Sequence, residues 1–122
     1  IVHFHSGPAP HPEYFGAGFP VEDRRAELPG AMGIYCSEVM WWLYRPLTFM
    51  IWGGVFERFP KLKAMIVEGG TMFMLPPWLR LMDFHYTEGQ ISAKLGNFRK
   101  HLSLKPSEYF QRNIGVGASC VL

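Results

Sequence analysis

Two ionisable side chains stand where a short apolar segment ends and a turn begins. His5 closes a β-branched and aromatic run, and Glu68 follows four apolar residues, 64–67, and precedes two glycines. Sites in parallel α/β proteins are built at the carboxyl ends of strands. Imidazole is the commonest metal-ligating side chain, and a carboxylate can be a general base or a ligand. The pattern therefore makes His5 a candidate metal ligand and Glu68 a candidate catalytic residue.

Both residues also have ordinary structural interpretations. A histidine at a strand end is more often structural than a ligand, and Glu68 can cap a helix or pair with an arginine. His3 lies two residues before His5, so strand alternation places both on one face, where they would suit a shared metal. The residues alone leave these interpretations open.

Other reactive side chains carry weaker signals. Arg80 and Asp83 are three apart in a helical segment and can simply pair with each other. Cys36 has no neighbouring base to activate it, and with Cys120 it forms neither a CxxC metal motif nor a disulfide framework. Two cysteines in this pattern favour a reducing compartment, so we expect a cytoplasmic protein.

Composition excludes several classes of protein. The chain has 122 residues, 48% of them hydrophobic, 18% charged, and a net charge of +2. That charge is too small and too dispersed to indicate nucleic-acid binding. Arg45 and Pro46 interrupt the most apolar stretch, 39–56, which argues against a membrane-spanning helix. Because both ends are apolar and resemble buried strands, we expect 1–122 to be a fragment of one longer domain.

The elements that must position these residues alternate between strand and helix. Strands are predicted at 1–5, 64–67 and 114–122, the second in a sheet buried on both faces. A Pro- and Gly-rich loop is expected over 7–33. A helix is expected over 38–59, broken at Arg45–Pro46, with Gly53 and Gly54 allowing close packing. Two more helices are predicted, one from Pro76 or Pro77 to about residue 89 and one from Ser107 to about residue 113. This order indicates an α/β fold with right-handed crossovers.

Several segments resemble one known family. Residues 53–63 (GGVFERFPKLK), 67–70 (VEGG) continuing to Asp83, and 106–110 (PSEYF) followed by Asn113 resemble blocks of amidohydrolase-related proteins, in family order. Residues 2–7 are similar to the family's strand-five motif. The family includes aminocarboxymuconate semialdehyde decarboxylase and resorcylate-type decarboxylases, which fold as (β/α)₈ TIM barrels. The resemblance implies a partial barrel, roughly strand five to strand seven, out of a domain of about 250 residues.

The resemblance also implies a metal site. Family members hold a divalent metal, usually zinc, with an H-x-H on strand one, a His on strand five and an Asp on strand eight. The strand-five ligand maps onto His5, which makes His3 a neighbour of the site. The decarboxylases carry a His where Glu68 stands here, which favours hydrolysis. In the decarboxylases, an arginine after strand six reaches the active site of the neighbouring subunit. Arg80 lies within one residue of that position, so the resemblance implies a substrate-binding role for Arg80 and a homodimer.

The resulting expectation is a metal-dependent hydrolase of amidohydrolase type, acting on a small carbonyl or carboxylate substrate through metal-activated water. Burial would raise the pKa of Glu68, whereas a nearby cation would lower it. The alternatives are a metal-dependent decarboxylase of the same family, a barrel that has lost catalysis and serves in binding or assembly, and an unrelated α/β binding module. A half barrel exposes strand edges, so we expect the fragment alone to be inactive.

Overall fold

The computed structural model describes residues 1–5, 31–68, 74–88 and 99–117, with 31–40 described by their backbone alone. These residues form mixed helix and a three-stranded parallel sheet. In chain order the elements are β1 (Val2–His5), α1 (Ala31–Trp52), α2 (Val55–Arg58), β2 (Ala64–Val67), α3 (Leu75–Thr87), α4 (Pro106–Asn113) and β3 (Ile114–Val116).

The sheet has the order β1-β2-β3, with both pairs parallel. The predicted strands at 1–5 and 64–67 are confirmed. The third is confirmed from Ile114 to Val116, and the predicted extension beyond residue 117 lies outside the described residues. Whether these strands belong to a barrel running from strand five to strand seven stays a prediction.

The two faces of the sheet differ in burial. Phe4 and Ile66 are aligned in register on one face, which packs against the helices, and Ile66 is fully buried. On the other face His3 and His5 are exposed, and Met65 and Val67 are only partly buried. The expectation of burial on both faces is therefore wrong for the described residues. The helices cover one face of the sheet, and the two histidines lie on the other.

Helix α1 begins earlier than predicted and is continuous through Pro46. A proline inside a helix costs about 3 kcal/mol. Four side chains of α1 are almost completely buried, and each such burial contributes about 1.5–3 kcal/mol, which outweighs that cost. These are Leu43, Tyr44, Leu47 and Ile51. The predicted helix break at Arg45–Pro46 is therefore wrong. The predicted loop over 7–33 is wrong for residues 31–33, which are helical, and its residues 7–30 lie outside the described residues.

The helical break occurs instead at Gly53 and Gly54. Gly54 has φ 69°, a left-handed conformation that glycine adopts without steric penalty. A Cβ on Gly53 would lie 2.6 Å from the carbonyl oxygen of Phe49. That oxygen belongs to the last turn of α1 itself, so Gly53 does not show the close packing against a neighbouring strand or helix that was predicted for this pair, and the two glycines instead let the chain turn into α2.

Helices α3 and α4 are joined by Asp83, a residue whose spacing in the sequence suggested a pair with Arg80. Asp83 on α3 accepts hydrogen bonds from the backbone N–H of Ser107 at 2.9 Å and from its hydroxyl at 2.6 Å. Helix α4 begins at Pro106, with Lys105 at the capping position. The prediction that Ser107 caps this helix is wrong, because Asp83 binds the first turn from a neighbouring helix. Helix α3 begins at Leu75 with Pro76 in its first turn, as predicted.

Candidate functional site

His5 and Glu68 meet at the carboxyl edge of the sheet. His5 is aligned with Val67 across the β1–β2 pair, so the residue after β2 lies beside it. The His5 Nε2 atom lies 3.5 Å from Glu68 Oε2. The side chains are 60% and 41% exposed, so both are accessible to solvent. The structure thus brings together two residues, 63 positions apart in sequence, that the pattern had selected independently.

The backbone of Glu68 has an uncommon conformation. Its φ is 58°, the only positive φ of a non-glycine residue in the part of the chain that the structure describes. A left-handed conformation costs an L-residue roughly 1–2 kcal/mol. Next to β2, the backbone N–H of Gly117 donates to the carbonyl of Ile66 at 2.7 Å, which ties the end of β2 to the segment after β3. Strained residues cluster at active sites, and Glu68 stands at the edge where such a site is expected.

The other two predicted site residues are placed differently. His3 shares the exposed face with His5 and lies about 7 Å from it along the strand, because each residue advances by about 3.3 Å. Arg80 is exposed on α3, and no hydrogen bond or ion pair joins it to His5 or Glu68 among the residues described. His3 is a neighbour of the pair, whereas a role for Arg80 stays a prediction.

The donor chemistry of the pair suits a divalent metal. Imidazole nitrogen and carboxylate oxygen both bind zinc at about 2.0–2.2 Å, so two such donors on a tetrahedral ion lie about 3.4 Å apart. The observed separation of 3.5 Å is close to that value. Within the described ranges, no group of three His, Cys, Asp or Glu side chains is present that could hold a metal. The separation also suits a carboxylate that acts beside a metal-bound histidine, so a metal at His5, with its remaining ligands outside the described residues, stays a prediction.

A second polar cluster lies on the helical side of the sheet. Glu57 of α2 accepts hydrogen bonds from the hydroxyls of Tyr109 and Ser103. The Tyr109 hydroxyl in turn accepts from the backbone N–H groups of Ser103 and Leu104. The guanidinium of Arg112 lies 5.2 Å from the centre of the Tyr109 ring and donates to the carbonyl of Phe56. This cluster joins α2 to the segment that contains α4.

The cluster perturbs two acid–base equilibria. The hydrogen bond from Tyr109, then that from Ser103, lowers the pKa of Glu57. Burial and then the bond to Glu57 raise the pKa of Tyr109, whose side chain is fully buried. No short motif in the sequence points to Glu57 and Tyr109, which are 52 positions apart. The one signal in the sequence was that both lie in segments that we interpreted as similar to amidohydrolase-related proteins.

Asn113 holds the chain between α2 and β2. It is 1% exposed, and its amide group donates to the carbonyl oxygens of Pro60 and Leu62 at 3.0 and 2.7 Å. Its own oxygen accepts from Arg112 at 2.8 Å. All three hydrogen bonds of the Asn113 side chain are made to protein atoms, which gives it a structural role next to the segment that leads into β2.

No protein-family model, no curated protein and no solved structure matches this chain. No helix in the described ranges is long and apolar enough to cross a membrane. The likeness to amidohydrolase-related proteins therefore stays an interpretation of the sequence. A function can be proposed only from the geometry of the site.

Proposed function

We propose that the chain is part of a metal-dependent hydrolase of amidohydrolase type, in which His5 is a metal ligand and Glu68 is the catalytic base. The observation that supports this proposal is the approach of His5 Nε2 and Glu68 Oε2 to 3.5 Å at the carboxyl edge of two parallel strands. The positive φ of Glu68 is a second, independent feature of that edge.

The chemistry divides between the two side chains. A divalent metal, zinc by its donor preferences, would supply a water whose pKa is lowered towards neutrality. His5 contributes a neutral nitrogen donor, and Glu68 accepts a proton from the attacking water and returns it to the leaving group. Glu68 is 41% exposed, so a water and a small substrate can both reach its carboxylate. His3, on the same face, contacts substrate or orients the pair.

The test uses the protein produced from its natural gene. We expect His5→Ala to lower the zinc content of the dialysed protein at least tenfold, as measured by mass spectrometry. The rate at which the protein hydrolyses a chromogenic ester should fall with it. Glu68→Gln keeps a similar shape without the proton acceptor, so we expect it to retain zinc and to lose 10²- to 10⁴-fold in kcat. His101→Ala, an exposed histidine on another segment, is the matched control. Unchanged zinc content and activity in His5→Ala would end the proposal.

Decarboxylation is the alternative within the same family. The carboxylate of Glu68, where those enzymes carry a His, favours proton transfer from water over carbon–carbon cleavage. Release of CO₂ from a hydroxybenzoate without ester hydrolysis would favour the decarboxylase. A natural protein without bound metal, and with neither activity, would indicate a barrel used for binding or assembly. The homodimer and the cytoplasmic location remain predictions of the same kind.

A further inference from the structure

A groove between α1 and α3 lies apart from the His5–Glu68 site. It encloses about 660 Å³, and its lining residues come from α1, α3 and Gly53. We refer to this feature as the aromatic groove. Half of the described residues that line it are Trp, Tyr or Phe: Trp41, Trp42, Tyr44, Phe49, Trp52 and Trp78. Tyr44 and Trp78 stack at a centroid distance of 5.2 Å, which joins the two helices within the groove.

Several rings of the aromatic groove are open to water. Trp41 is 59% exposed and Phe49 is 67% exposed, and Leu81 on α3 adds a 55% exposed aliphatic side chain. Contiguous exposed apolar surface of this kind marks binding sites. A volume of 660 Å³ lies within the range of about 300–1,000 Å³ that small-molecule sites occupy. The size and composition of the groove thus suit a compact, flat, apolar ligand.

The charge of the aromatic groove adds a second requirement. The Arg45 guanidinium lies 5.8 Å from the Trp42 ring centre and 5.9 Å from that of Phe49. Arg45 contacts no carboxylate among the described residues, and none of the described residues that line the groove is an Asp or a Glu. A guanidinium that stacks on rings through its face keeps N–H donors at its edge. An acidic group on the ligand would therefore find a charged donor next to the rings.

We propose that the aromatic groove binds a planar aromatic anion. Its ring stacks among the exposed indole and phenyl groups, and its acidic group pairs with Arg45. The proposal does not depend on the proposed hydrolase, because no residue of the aromatic groove belongs to the strands that carry His5 and Glu68.

The first test compares two probes with the same ring. Titration calorimetry of the full chain with 2-naphthalenesulfonate and with 2-naphthalenemethanol measures the effect of the charge alone. We expect the sulfonate to bind about fivefold more tightly, the upper range for an exposed ion pair. Arg45→Gln should abolish that preference, and Lys100→Gln, an exposed cation outside the groove, should leave it unchanged. Equal affinity of the wild-type chain for both probes would overturn the proposal.

The second test examines the rings. Trp41→Ala should weaken binding of both probes about threefold to tenfold, as expected for one lost aromatic contact, and its exposure means that the fold is retained. Sedimentation velocity with and without the sulfonate identifies a competing occupant. If the chain forms dimers that Trp41→Ala dissociates, and the sulfonate does not bind, the aromatic groove is an interface between copies and the proposal fails.

Discussion

Replacing Glu68 by glycine should relieve the strain of its left-handed backbone while abolishing the proposed chemistry. Glu68 has φ 58°, which costs an L-residue roughly 1–2 kcal/mol. Glycine avoids that cost but loses about 0.5–1 kcal/mol through its greater freedom in the unfolded chain. Glu68→Gly also removes the contact with His5, which contributes roughly 0–1 kcal/mol because both side chains are well exposed. The net change is therefore small, and a matched variant is needed to isolate the backbone effect.

Glu68→Ala is that matched variant. It lacks the carboxylate, as Glu68→Gly does, but it keeps the Cβ that makes the left-handed conformation unfavourable. We expect Glu68→Gly to be more stable than Glu68→Ala by about 1 kcal/mol, which corresponds to a difference of roughly 3–6 °C in Tm for a chain of this size. Thermal unfolding, followed by circular dichroism at pH 7 in the presence of a chelator, measures this without a contribution from bound metal.

The activity of the two variants completes the prediction. Both should lose ester hydrolysis in the natural protein, since neither carries a proton acceptor at residue 68. Equal Tm values for Glu68→Gly and Glu68→Ala would refute the argument that the backbone at Glu68 is strained. Full activity in either variant would instead refute the role of Glu68 as the base. The two results are independent, so the strain and the chemistry are tested separately.

Two further predictions concern the helical side of the sheet. Asn113→Ala should destabilise the chain by about 1–3 kcal/mol in urea unfolding, because two part-buried carbonyl oxygens lose their donors, and a loss below 0.5 kcal/mol would contradict this assignment. The pKa of Glu57 is lowered in the folded state, so its contribution to stability is present above the unfolded pKa near 4.5 and is lost as pH falls through the folded value. Tyr109→Phe should therefore weaken the dependence of Tm on pH on the acidic side, and an unchanged dependence would show that this hydrogen bond does not control the titration of Glu57.

The parts of the structure that the sequence predicted best are those set by local pattern. A short apolar run followed by a polar residue and glycines indicates a strand end, and this placed both His5 and Glu68 at the edge of the sheet where they meet. The start of α3 followed from the preference of proline for the first helical turn. In each case the signal lies within a few residues, so no knowledge of distant neighbours was required.

The predictions that failed depend on contacts between distant residues. The break at Pro46 was inferred from an intrinsic cost, but the buried face of α1 supplies more energy than the proline removes. The spacing allowed Asp83 to pair with Arg80 one turn away, but Asp83 binds Ser107, 24 residues later. Neither the burial of α1 nor the approach of α3 to α4 can be inferred from spacing along the chain.

Two of the segments that we interpreted as similar to amidohydrolase-related proteins, 53–63 and 106–110, do not carry the proposed chemistry. Glu57, from the segment 53–63, and Tyr109, from the segment 106–110, bond to each other, and Asn113 fixes the loop that follows α2. These residues form hydrogen bonds with protein atoms on the helical side of the sheet, whereas His5 and Glu68 lie at its carboxyl edge. Likeness in those segments is therefore an argument about the scaffold. A protein can keep that scaffold and change its reaction by replacing the residue after β2, which is why zinc content and activity in His5 and Glu68 variants decide the function.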